Sequence, residues 1–334
     1  MRVIAARELR DLVPMADAIA AVRQAFVELS AGRAVVPLRT HVPVAPQDAA
    51  LLAMPGYLAA AGGLGAKLVT VFPRNPARGL PTIFATMVLL DPQTGEPAAL
   101  IEGTYLTALR TGAAGGLAAD LLARRDARIV ALFGAGAQGR TQLEAVCAVR
   151  PVTQVRVVDP RGDAARAFVA WAETQPWVRG ATVVAAPDPA VAVRGAEIVI
   201  TATTSMTPVF PDDAVAAGTH ITAVGAYTPQ MREIPGATVA RAAVIVDHRP
   251  AALAEAGDLV LAIQEGLFSP GTVRAEIGEV AAGTAPGRAG DHEITLFKSV
   301  GHAVQDLAVA RLAFARAEGH GRGVVLNLKE PLTP

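Results

Sequence analysis

One short glycine-rich turn constrains the fold of this chain more than any other feature of its sequence. Residues 134–139 read Gly-Ala-Gly-Ala-Gln-Gly, which is a G-x-G-x-x-G motif. The motif directly follows an apolar run at 129–133 that predicts a strand, and it opens a helical pattern over 137–149. A motif in this position is typical of the first strand–turn–helix unit of a dinucleotide-binding fold. The sequence therefore predicts a doubly wound parallel sheet.

Each glycine of the motif has its own physical task. Gly134 permits the tight turn, Gly136 lets a pyrophosphate approach the backbone, and Gly139 allows the helix to pack closely on the strand. Backbone N–H groups at the helix N-terminus, at Ala137 and Gln138, favour an anion. The motif therefore predicts binding of a dinucleotide through its phosphates.

A carboxylate follows at the end of the next predicted strand. Asp159 lies twenty residues after Gly139, where an acidic residue hydrogen-bonds the adenosine ribose and repels a 2′-phosphate. Arg161 follows two residues later and either pairs with such a phosphate or is a solvated loop cation. We therefore expect NAD(H) as the cofactor, with NADP(H) as the alternative.

The elements on either side of the motif divide the chain into two predicted domains. Before residue 104, short apolar strands separated by Pro- and Gly-rich loops favour an antiparallel or mixed sheet. From residue 128 onward, strands alternate with helices, which predicts a parallel sheet, and a long helix is expected at roughly 298–318. The expected fold class is α/β, with an α+β domain at 1–112 plus 300–334 and a Rossmann domain at 113–299.

Composition narrows the class of protein further. The 334 residues are 52% hydrophobic and 18% charged, which suits about two globular domains rather than a disordered chain. Lys plus Arg and Asp plus Glu are 30 each, so the basic excess of a nucleic-acid binder is missing. Cys147 is the single cysteine and the six histidines are scattered, so neither a disulfide nor a metal site is expected. Without a signal-peptide run or a membrane-spanning apolar stretch, we expect the cytoplasm.

Segments spread over nearly the whole chain carry a family resemblance. They occur in order and with appropriate spacing, and comprise Lys67 in a strand, residues 102–104, residues 109–114, Thr203-Thr204-Ser205 and Val224-Gly225-Ala226. Together with the glycine-rich turn they resemble the ornithine cyclodeaminase/μ-crystallin family. The resemblance implies an enzyme that uses a nicotinamide cofactor to interconvert an amine and an imine next to a carboxylate. It also implies a homodimer, with residues 1–112 plus 300–334 binding substrate and forming the dimer, and an active site in the interdomain cleft.

Three basic residues match positions that handle the substrate in this family. Arg39 and Arg110 match the residues that bind the substrate carboxylate, and arginine offers the planar fork of donors that a carboxylate fits. The alternative for both is a surface or interdomain salt bridge. Lys67 matches a residue beside the substrate carboxylate or imine, and a lysine on an apolar strand has a lowered pKa and can transfer a proton. We expect Lys67 to be catalytic; the alternative is an edge-strand lysine whose ammonium reaches solvent.

One position departs from the cyclodeaminase pattern of the family. Cyclodeaminases resemble Gly-x-Asp-x-Pro-Gly-Lys after this strand, whereas Tyr227 occupies the place of the acid here. An un-ionised tyrosine cannot handle the ornithine side-chain ammonium as a carboxylate would. The change favours an imine reductase, in which Tyr227 contacts a cyclic imine such as Δ1-pyrroline-2-carboxylate or Δ1-piperideine-2-carboxylate on its way to proline or pipecolate. An ornithine cyclodeaminase, an alanine-type dehydrogenase and a non-catalytic μ-crystallin-type binder stay as alternatives.

A further group of residues is predicted to contact the cofactor. Most of its members end predicted strands at the ligand-binding edge of the sheet, follow Arg110, or match a family segment near the nicotinamide. They are Thr82, Thr111, Thr201, Ala202, Thr203, Val224, Gly225, Lys298 and Gly301, and Ser299 and Asp306 belong to that same segment. Thr82, which begins a predicted strand, is expected to contact the substrate or the cofactor amide. A buried cap or a core-packing role is the alternative for the threonines and serine.

Overall fold

The chain folds into two sheets with helices packed on them, and the computed structural model describes residues 1–178 and 180–328. The strands are β1 Arg2–Ile4, β2 Ala34–Val35, β3 Thr40–Val44, β4 Ala49–Leu58, β5 Gly63–Val71, β6 Ile83–Leu90, β7 Pro97–Glu102, β8 Ile129–Phe133, β9 Gln154–Val158, β10 Thr182–Ala185, β11 Ile198–Thr201, β12 His220–Ala223, β13 Ala243–Val246, β14 Ala275–Glu276, β15 Thr295–Lys298 and β16 Val324–Val325. The helices are α1 Ala6–Leu12, α2 Met15–Ser30, α3 Gly103–Leu122, α4 Ala137–Val149, α5 Gly162–Glu173, α6 Pro189–Val193, α7 Gly236–Arg241, α8 Arg249–Glu255, α9 Gly257–Gln264, α10 Ile277–Ala281 and α11 Ala303–Gly319. Within the described ranges, none of these helices has the length and apolar character needed to cross a membrane.

The chain divides into two compact units. Unit 1 comprises residues 1–110 and the residues from 302 on, and unit 2 comprises residues 111–301. The first boundary therefore falls inside α3. The sequence places the corresponding boundaries at 112/113 and 299/300, and residues 329–334 of that prediction lie outside the described residues.

Unit 1 is built on a mixed sheet with strand order β16-β1-β7-β6-β5-β4-β2, and β3 also pairs with β4. Strands β4, β5, β6 and β7 pair antiparallel with one another, whereas β1 is parallel to β7, which confirms the predicted antiparallel or mixed sheet. Helix α11 packs against β4 and β5. A Cβ on Gly56 would lie 2.9 Å from Cδ1 of Leu307, so a glycine at this point of β4 lets α11 approach closely.

Unit 2 is the predicted doubly wound parallel sheet. Its strand order is β10-β9-β8-β11-β12-β15-β13-β14, and every neighbouring pair is parallel. Strands β9 and β11 lie on opposite sides of β8, so the strand order reverses there. Ligands of such folds bind at this reversal, beyond the carboxyl ends of the strands, and the glycine-rich turn follows β8 directly.

The long C-terminal helix begins later than the sequence predicts. The sequence predicts that this helix begins at about residue 298. In the structure, residues 295–298 form the buried strand β15, which lies between β12 and β13. Gly301 has φ +82°, outside the helical region, and α11 starts only at Ala303. The apolar spacing continues across the strand and the helix, so spacing alone did not reveal the break.

Candidate active site

Lys67 lies at the centre of a buried ionic cluster in unit 1. It sits on β5 with Met54 and Met87 as its cross-strand neighbours, and it is 1% exposed. Its Nζ donates to Oδ1 of Asp306 at 2.9 Å and lies 2.9 Å from Oδ2 as well. Burial, followed by the charge of Arg110, lowers the pKa of Lys67 to about 7, although Asp306 opposes this change. The alternative of a solvent-reaching edge lysine does not fit this placement.

Asp306, on the first turn of α11, connects Lys67 to Arg110. Arg110 comes from α3 and is also buried; its Nε donates to Oδ1 of Asp306 at 3.0 Å. Its Nη1 donates to Oε1 of Gln305 at 2.6 Å. Two buried cations therefore share one carboxylate, and hydrogen bonds from two of its three nitrogens hold the guanidinium in place.

Arg39 adds a third positive charge to this environment. It is half-buried just before β3, and its charge contributes to lowering the pKa of Lys67. Within the described part of unit 1, Asp306 is the one carboxylate that forms ion pairs with Lys67 and Arg110. Lys67 in its ammonium form and Arg110 together carry one positive charge more than Asp306 balances. An uncompensated buried charge is costly, so this cluster favours binding of an anion such as a carboxylate.

In unit 2, the glycine-rich turn has the geometry of a dinucleotide cradle. Gly134 has φ +100°, and a Cβ there would lie 2.5 Å from the carbonyl oxygen of Ala202. A Cβ on Gly139 would clash with the carbonyl oxygen of Gly134, so the helix packs as closely as expected. Gly136 is the N-cap of α4 with open space around its Cβ position. Ala137 and Gln138 form the first turn beside that space, which fits a pyrophosphate.

Asp159 closes the turn at the end of β9. Its Oδ2 accepts from the backbone N of Ala135 at 3.0 Å, and its Oδ1 accepts from the backbone N of Arg161 at 3.0 Å. A carboxylate offers about four acceptor positions; Arg161 donates twice to Oδ1, from its backbone N and its Nε, so Oδ2 keeps one position for a ribose hydroxyl. The Arg161 side chain is 74% exposed, with Nε 3.5 Å from Oδ1 of Asp159.

A cavity of about 540 Å³ opens beside Asp159. It is lined by residues at the end of β8 and at or after the ends of β9, β10 and β11, among them Arg166, Ala186 and Thr203. Its volume is within the range of small-molecule sites. The cavity and the open space at Gly136 together fit the adenosine and phosphate portions of a nicotinamide dinucleotide.

Glu233, which was not predicted from the sequence, connects the ends of β11 and β12. Glu233 is fully buried, and its carboxylate accepts from the hydroxyls of Thr201 and Thr203 at 3.0 and 2.8 Å. It also accepts from the backbone N of Thr203, Gly225 and Ala226 at 2.6, 2.7 and 3.1 Å. Every contact is a donor to its oxygens, so Glu233 is held as a carboxylate, although burial raises its pKa.

The neighbouring predicted cofactor contacts lie on the same strand ends. The backbone N of Ala202 donates to the carbonyl of Phe133 at 2.9 Å, and that of Val224 donates to the carbonyl of Thr201 at 2.9 Å. A Cβ on Gly225 would clash with the carbonyl oxygen of Thr203. These residues thus fix the backbone at the ligand-binding edge of the sheet, and their contacts with a cofactor stay a prediction.

Lys298 and Gly301 are held by two further aspartates. Lys298 is fully buried on β15 with Nζ 2.9 Å from Oδ2 of Asp258, so its ammonium has a protein partner. Oδ1 of Asp258 accepts from the backbone N of Glu233 and Ile234 at 2.6 and 2.9 Å. Oδ2 of Asp247 accepts from Ser299 Oγ and from the backbone N of Val300 and Gly301 at 2.7, 2.9 and 2.9 Å.

Three residues that are predicted to contact substrate or cofactor lie outside both the ionic cluster of unit 1 and the strand ends of unit 2. Thr82 is half-buried just before β6, and its carbonyl accepts from the backbone N of Phe72 at 2.8 Å. Thr111 is buried on α3, and its carbonyl accepts from Nε2 of Gln142 at 2.8 Å. Tyr227 is half-buried after β12. Their roles toward substrate or cofactor stay predictions.

Four buried polar residues around the ionic cluster of unit 1 and the strand ends of unit 2 were not predicted from the sequence. The residues are Asp247, Asp258, Glu233 and Gln305. Their signal is faint, because each is a single polar residue beside a turn or at a helix start. Only Gln305, directly before Asp306, lies in a segment that the family resemblance had marked. No group of three metal-binding side chains occurs among residues 1–178 and 180–328.

Comparisons with known proteins cover nearly the whole chain. The sequence model described as "Ornithine cyclodeaminase/mu-crystallin family" matches residues 2–321. A Delta(1)-pyrroline-2-carboxylate reductase of Bacillus cereus is 40% identical over 324 residues, which cover 97% of this chain and 98% of that protein.

Two solved structures show the same fold along the full chain. Thermococcus litoralis Delta(1)-pyrroline-2-carboxylate reductase, in complex with NADH and L-proline, matches with a TM-score of 0.93 and 39% identity over 98% of this chain and 100% of that one. An archaeal alanine dehydrogenase dimer with bound NAD matches with a TM-score of 0.91 and 36% identity, over 98% and 99% of the two chains.

Proposed function

The chain belongs to the ornithine cyclodeaminase/mu-crystallin family, and from this membership we propose that it is an NAD(P)H-dependent reductase of cyclic imino acids. Its substrate is Δ1-pyrroline-2-carboxylate, or the larger ring of Δ1-piperideine-2-carboxylate, and its product is proline or pipecolate. Two relatives that match nearly the full chain are Delta(1)-pyrroline-2-carboxylate reductases, one of them in complex with NADH and L-proline. NAD(H) is the cofactor, with NADP(H) as the alternative, and the cytoplasm stays the predicted location.

One structural observation carries the proposal beyond the comparisons. Lys67 is buried with a pKa lowered to about 7 by burial and by Arg110, and Asp306 is the carboxylate that it shares with that arginine. This arrangement provides a proton donor and a surplus of positive charge at one place. An imine next to a carboxylate needs both groups when it is reduced.

The chemistry divides between the cofactor and the side chains. Reduced nicotinamide, when bound, supplies a hydride to the imine carbon. Arg110 and Arg39 hold the substrate carboxylate, which orients that carbon. Lys67 in its ammonium form gives a proton to the imine nitrogen, directly or through a water. The C=N double bond thus becomes a CH–NH single bond, with the hydride on carbon and the proton on nitrogen.

The pKa of Lys67 suits this task. A general acid works best when its pKa lies near the working pH, and burial brings Lys67 to about 7. The arriving substrate carboxylate adds a negative charge beside the ammonium, which raises the pKa again. Binding of the anion therefore promotes the protonated form that reduction needs.

An alanine-type dehydrogenase is the second candidate. An archaeal alanine dehydrogenase matches this chain at 36% identity along its full length, and an amino-acid dehydrogenase also needs a carboxylate clamp and a proton-transferring lysine. The two candidates differ in substrate, because alanine chemistry uses pyruvate and ammonia rather than a ring imine.

The deciding experiment follows oxidation of NADH and NADPH by absorbance. Fast oxidation with Δ1-pyrroline-2-carboxylate or Δ1-piperideine-2-carboxylate is the expected result. Oxidation only with pyruvate and ammonia would assign the alanine-type reaction. Ammonia release from ornithine with NAD would assign the cyclodeaminase, and tight cofactor binding without turnover would assign a binding protein.

The proposal includes a homodimer formed through the sheet of unit 1. Helix α11 packs on one side of β4 and β5, whereas the alternate positions of the strands carry apolar side chains that are partly exposed. Tyr57, Leu68 and Phe84 are 37%, 44% and 45% exposed. Apolar side chains clustered on one sheet face are typical of an interface, and a second copy of this chain is the occupant that the archaeal dimer supports.

Oligomeric state tests this part of the proposal. Leu68→Glu and Phe84→Glu place charges on the face, so light scattering after gel filtration is expected to show monomers. Leu267→Glu is the matched control, because Leu267 is 46% exposed but lies in unit 2. A wild-type monomer, or dissociation by the control alone, would contradict the assignment.

A further inference from the structure

Gln305 is buried beside the arginine that is proposed to hold the substrate. It lies on the first turn of α11 and is fully buried. Its Oε1 accepts from Nη1 of Arg110 at 2.6 Å and from the backbone N of His302 at 2.8 Å. The amide oxygen of Gln305 therefore fixes both the guanidinium and the start of the helix.

These two bonds also determine where the amide nitrogen points. Rotating the amide by half a turn would place the NH₂ group against two donors, Arg110 Nη1 and the His302 N–H, which is unfavourable. Nε2 therefore lies on the other side of the amide from these two donors. Because it is bonded to the same carbon as Oε1, it is still within a few ångströms of Nη1 of Arg110. Nη2 of Arg110 takes part in neither of the bonds from this guanidinium to Gln305 and Asp306.

Nε2 of Gln305 has no hydrogen-bond acceptor among the described residues. A buried donor without an acceptor is unfavourable and rare in folded proteins. The missing acceptor lies beside a guanidinium and within a cluster that carries surplus positive charge. An oxygen of an anionic ligand meets these requirements.

We infer that the side-chain amide of Gln305 donates a hydrogen bond to the carboxylate of the bound imino acid, beside Arg110. This inference rests on the proposed function for the identity of the ligand. Gln305 is then a specificity-determining residue: it completes a set of donors that a carboxylate satisfies and that a neutral amide, with an NH₂ group of its own, satisfies only in part. Substrates with a free α-carboxylate are selected for this reason.

The test replaces the donor on Gln305 by an acceptor and compares a ligand that accepts with a ligand that can donate. Gln305→Glu keeps the oxygen that accepts from Arg110 and His302, but it replaces the NH₂ donor with a second oxygen. The probes are pyrrole-2-carboxylate, a planar unreactive analogue, and pyrrole-2-carboxamide, whose NH₂ group can donate to Glu. Affinities of both are measured by calorimetry with the cofactor-loaded protein. Gln24→Glu, on the exposed side of α2, makes the same chemical change away from the site.

The expected result is a reversal of preference. Gln305→Glu weakens pyrrole-2-carboxylate about 10- to 100-fold, as expected for a hydrogen bond to a charged group, and leaves pyrrole-2-carboxamide unchanged or tighter. Gln24→Glu changes neither affinity. Parallel weakening of both probes by Gln305→Glu, or no change in either, would overturn the inference.

A second measurement needs no variant. In a crystal structure of the wild-type protein with cofactor and pyrrole-2-carboxylate, Nε2 of Gln305 is expected about 3 Å from a carboxylate oxygen. A separation too long for a hydrogen bond would overturn the inference even if the Gln305→Glu protein did not fold.

Turnover of the wild-type protein separates this inference from the proposed function. Reduction of Δ1-pyrroline-2-carboxylate without the reversal leaves the proposed function standing and removes the role of Gln305. The reversal without turnover of any cyclic imine supports the carboxylate contact and removes the proposed reaction. Failure of the wild-type protein to bind either probe would overturn both.

Discussion

The two units each bury a lysine–aspartate pair, and the pairs differ in the charge that surrounds them. In both pairs the ammonium lies 2.9 Å from a carboxylate oxygen, with both side chains at most 1% exposed. Around Lys67 in unit 1 the additional charges are positive, from Arg110 and Arg39. Around Lys298 in unit 2 the additional charge is the carboxylate of Glu233.

This difference explains why similar pairs are suited to different tasks. In unit 2, Lys298 is the cation for two buried carboxylates, and hydroxyl and backbone N–H groups donate to Glu233 and to Oδ1 of Asp258, which holds the ends of β11 and β12 in place without a ligand. The pair in unit 1 leaves positive charge that a ligand has to compensate, and its ammonium titrates near neutral pH. The two pairs have the same distance between ammonium and carboxylate. The charges around each pair therefore decide whether it stabilises the fold or takes part in the reaction.

The largest effect is expected when the lysine of unit 1 is removed. Lys67→Met eliminates the proton donor, so kcat for the cyclic imine should fall about 10³-fold, while the KM for NADH changes little. Lys67→Arg keeps the charge but cannot give up a proton at neutral pH, so its kcat should fall similarly. Equal losses in kcat and NADH affinity would contradict the assigned role.

Removing the lysine of unit 2 should instead lower stability. Lys298→Met leaves Asp258 and Glu233 buried without their cation, which should cost about 3–5 kcal/mol of unfolding free energy. Lys67→Met should cost much less, because Asp306 keeps Arg110 and one of several like charges disappears. Urea unfolding of the two variants measures the contrast, and equal destabilisation would remove the distinction between the pairs.

Replacing the aspartate of each pair should change the pH dependence of activity in unit 1 only. Asp306 raises the pKa of Lys67, so Asp306→Asn should lower that pKa below about 7. The ammonium form is lost as pH rises through the pKa, so the alkaline fall of kcat/KM should move to lower pH. A fall of about 1 in the pKa reduces kcat/KM at alkaline pH about tenfold. Asp258→Asn is the control, and the idea fails if both profiles coincide with wild type.

The smallest expected effect concerns the cofactor site in unit 2. Asp159→Ser removes the carboxylate that faces the ribose, so the ratio of kcat/KM for NADPH to that for NADH should rise about tenfold. The KM for the imino acid should not change. Asp163→Ser removes an exposed carboxylate from the first turn of α5 and should leave the ratio unaltered. An unchanged ratio in both variants would show that Asp159 does not select the cofactor.

Local elements of the fold were predictable because their signals lie in consecutive residues. The strand β8 at 129–133 and the helix α4 at 137–149 match the predicted bounds residue for residue. The family assignment is confirmed as well, since its motifs lie at defined intervals along the chain. The last helix was wrong at its start because a buried strand and a helix share continuous apolar spacing.

The partners of the buried charges were not predictable in the same way. Glu233 receives hydrogen bonds from Thr201, which is 32 residues away, and nothing beside Glu233 in the sequence indicates this. The role of Gln305 could not be predicted from the sequence either. Its donor without an acceptor is recognised only when the contact between its oxygen and Arg110 is known. Such contacts depend on how separate elements pack, and one sequence does not specify that packing.

The sequence by itself determined the dinucleotide cradle, because six consecutive residues contain the glycines whose missing Cβ atoms allow the turn and the close packing of α4. It also determined the identities of Lys67 and Arg110 as residues of interest. Only the tertiary structure decided how Lys67 is charged, since its partner Asp306 is 239 residues away. The pKa of a buried group depends on its distances to other charges and to water, and folding alone sets those distances.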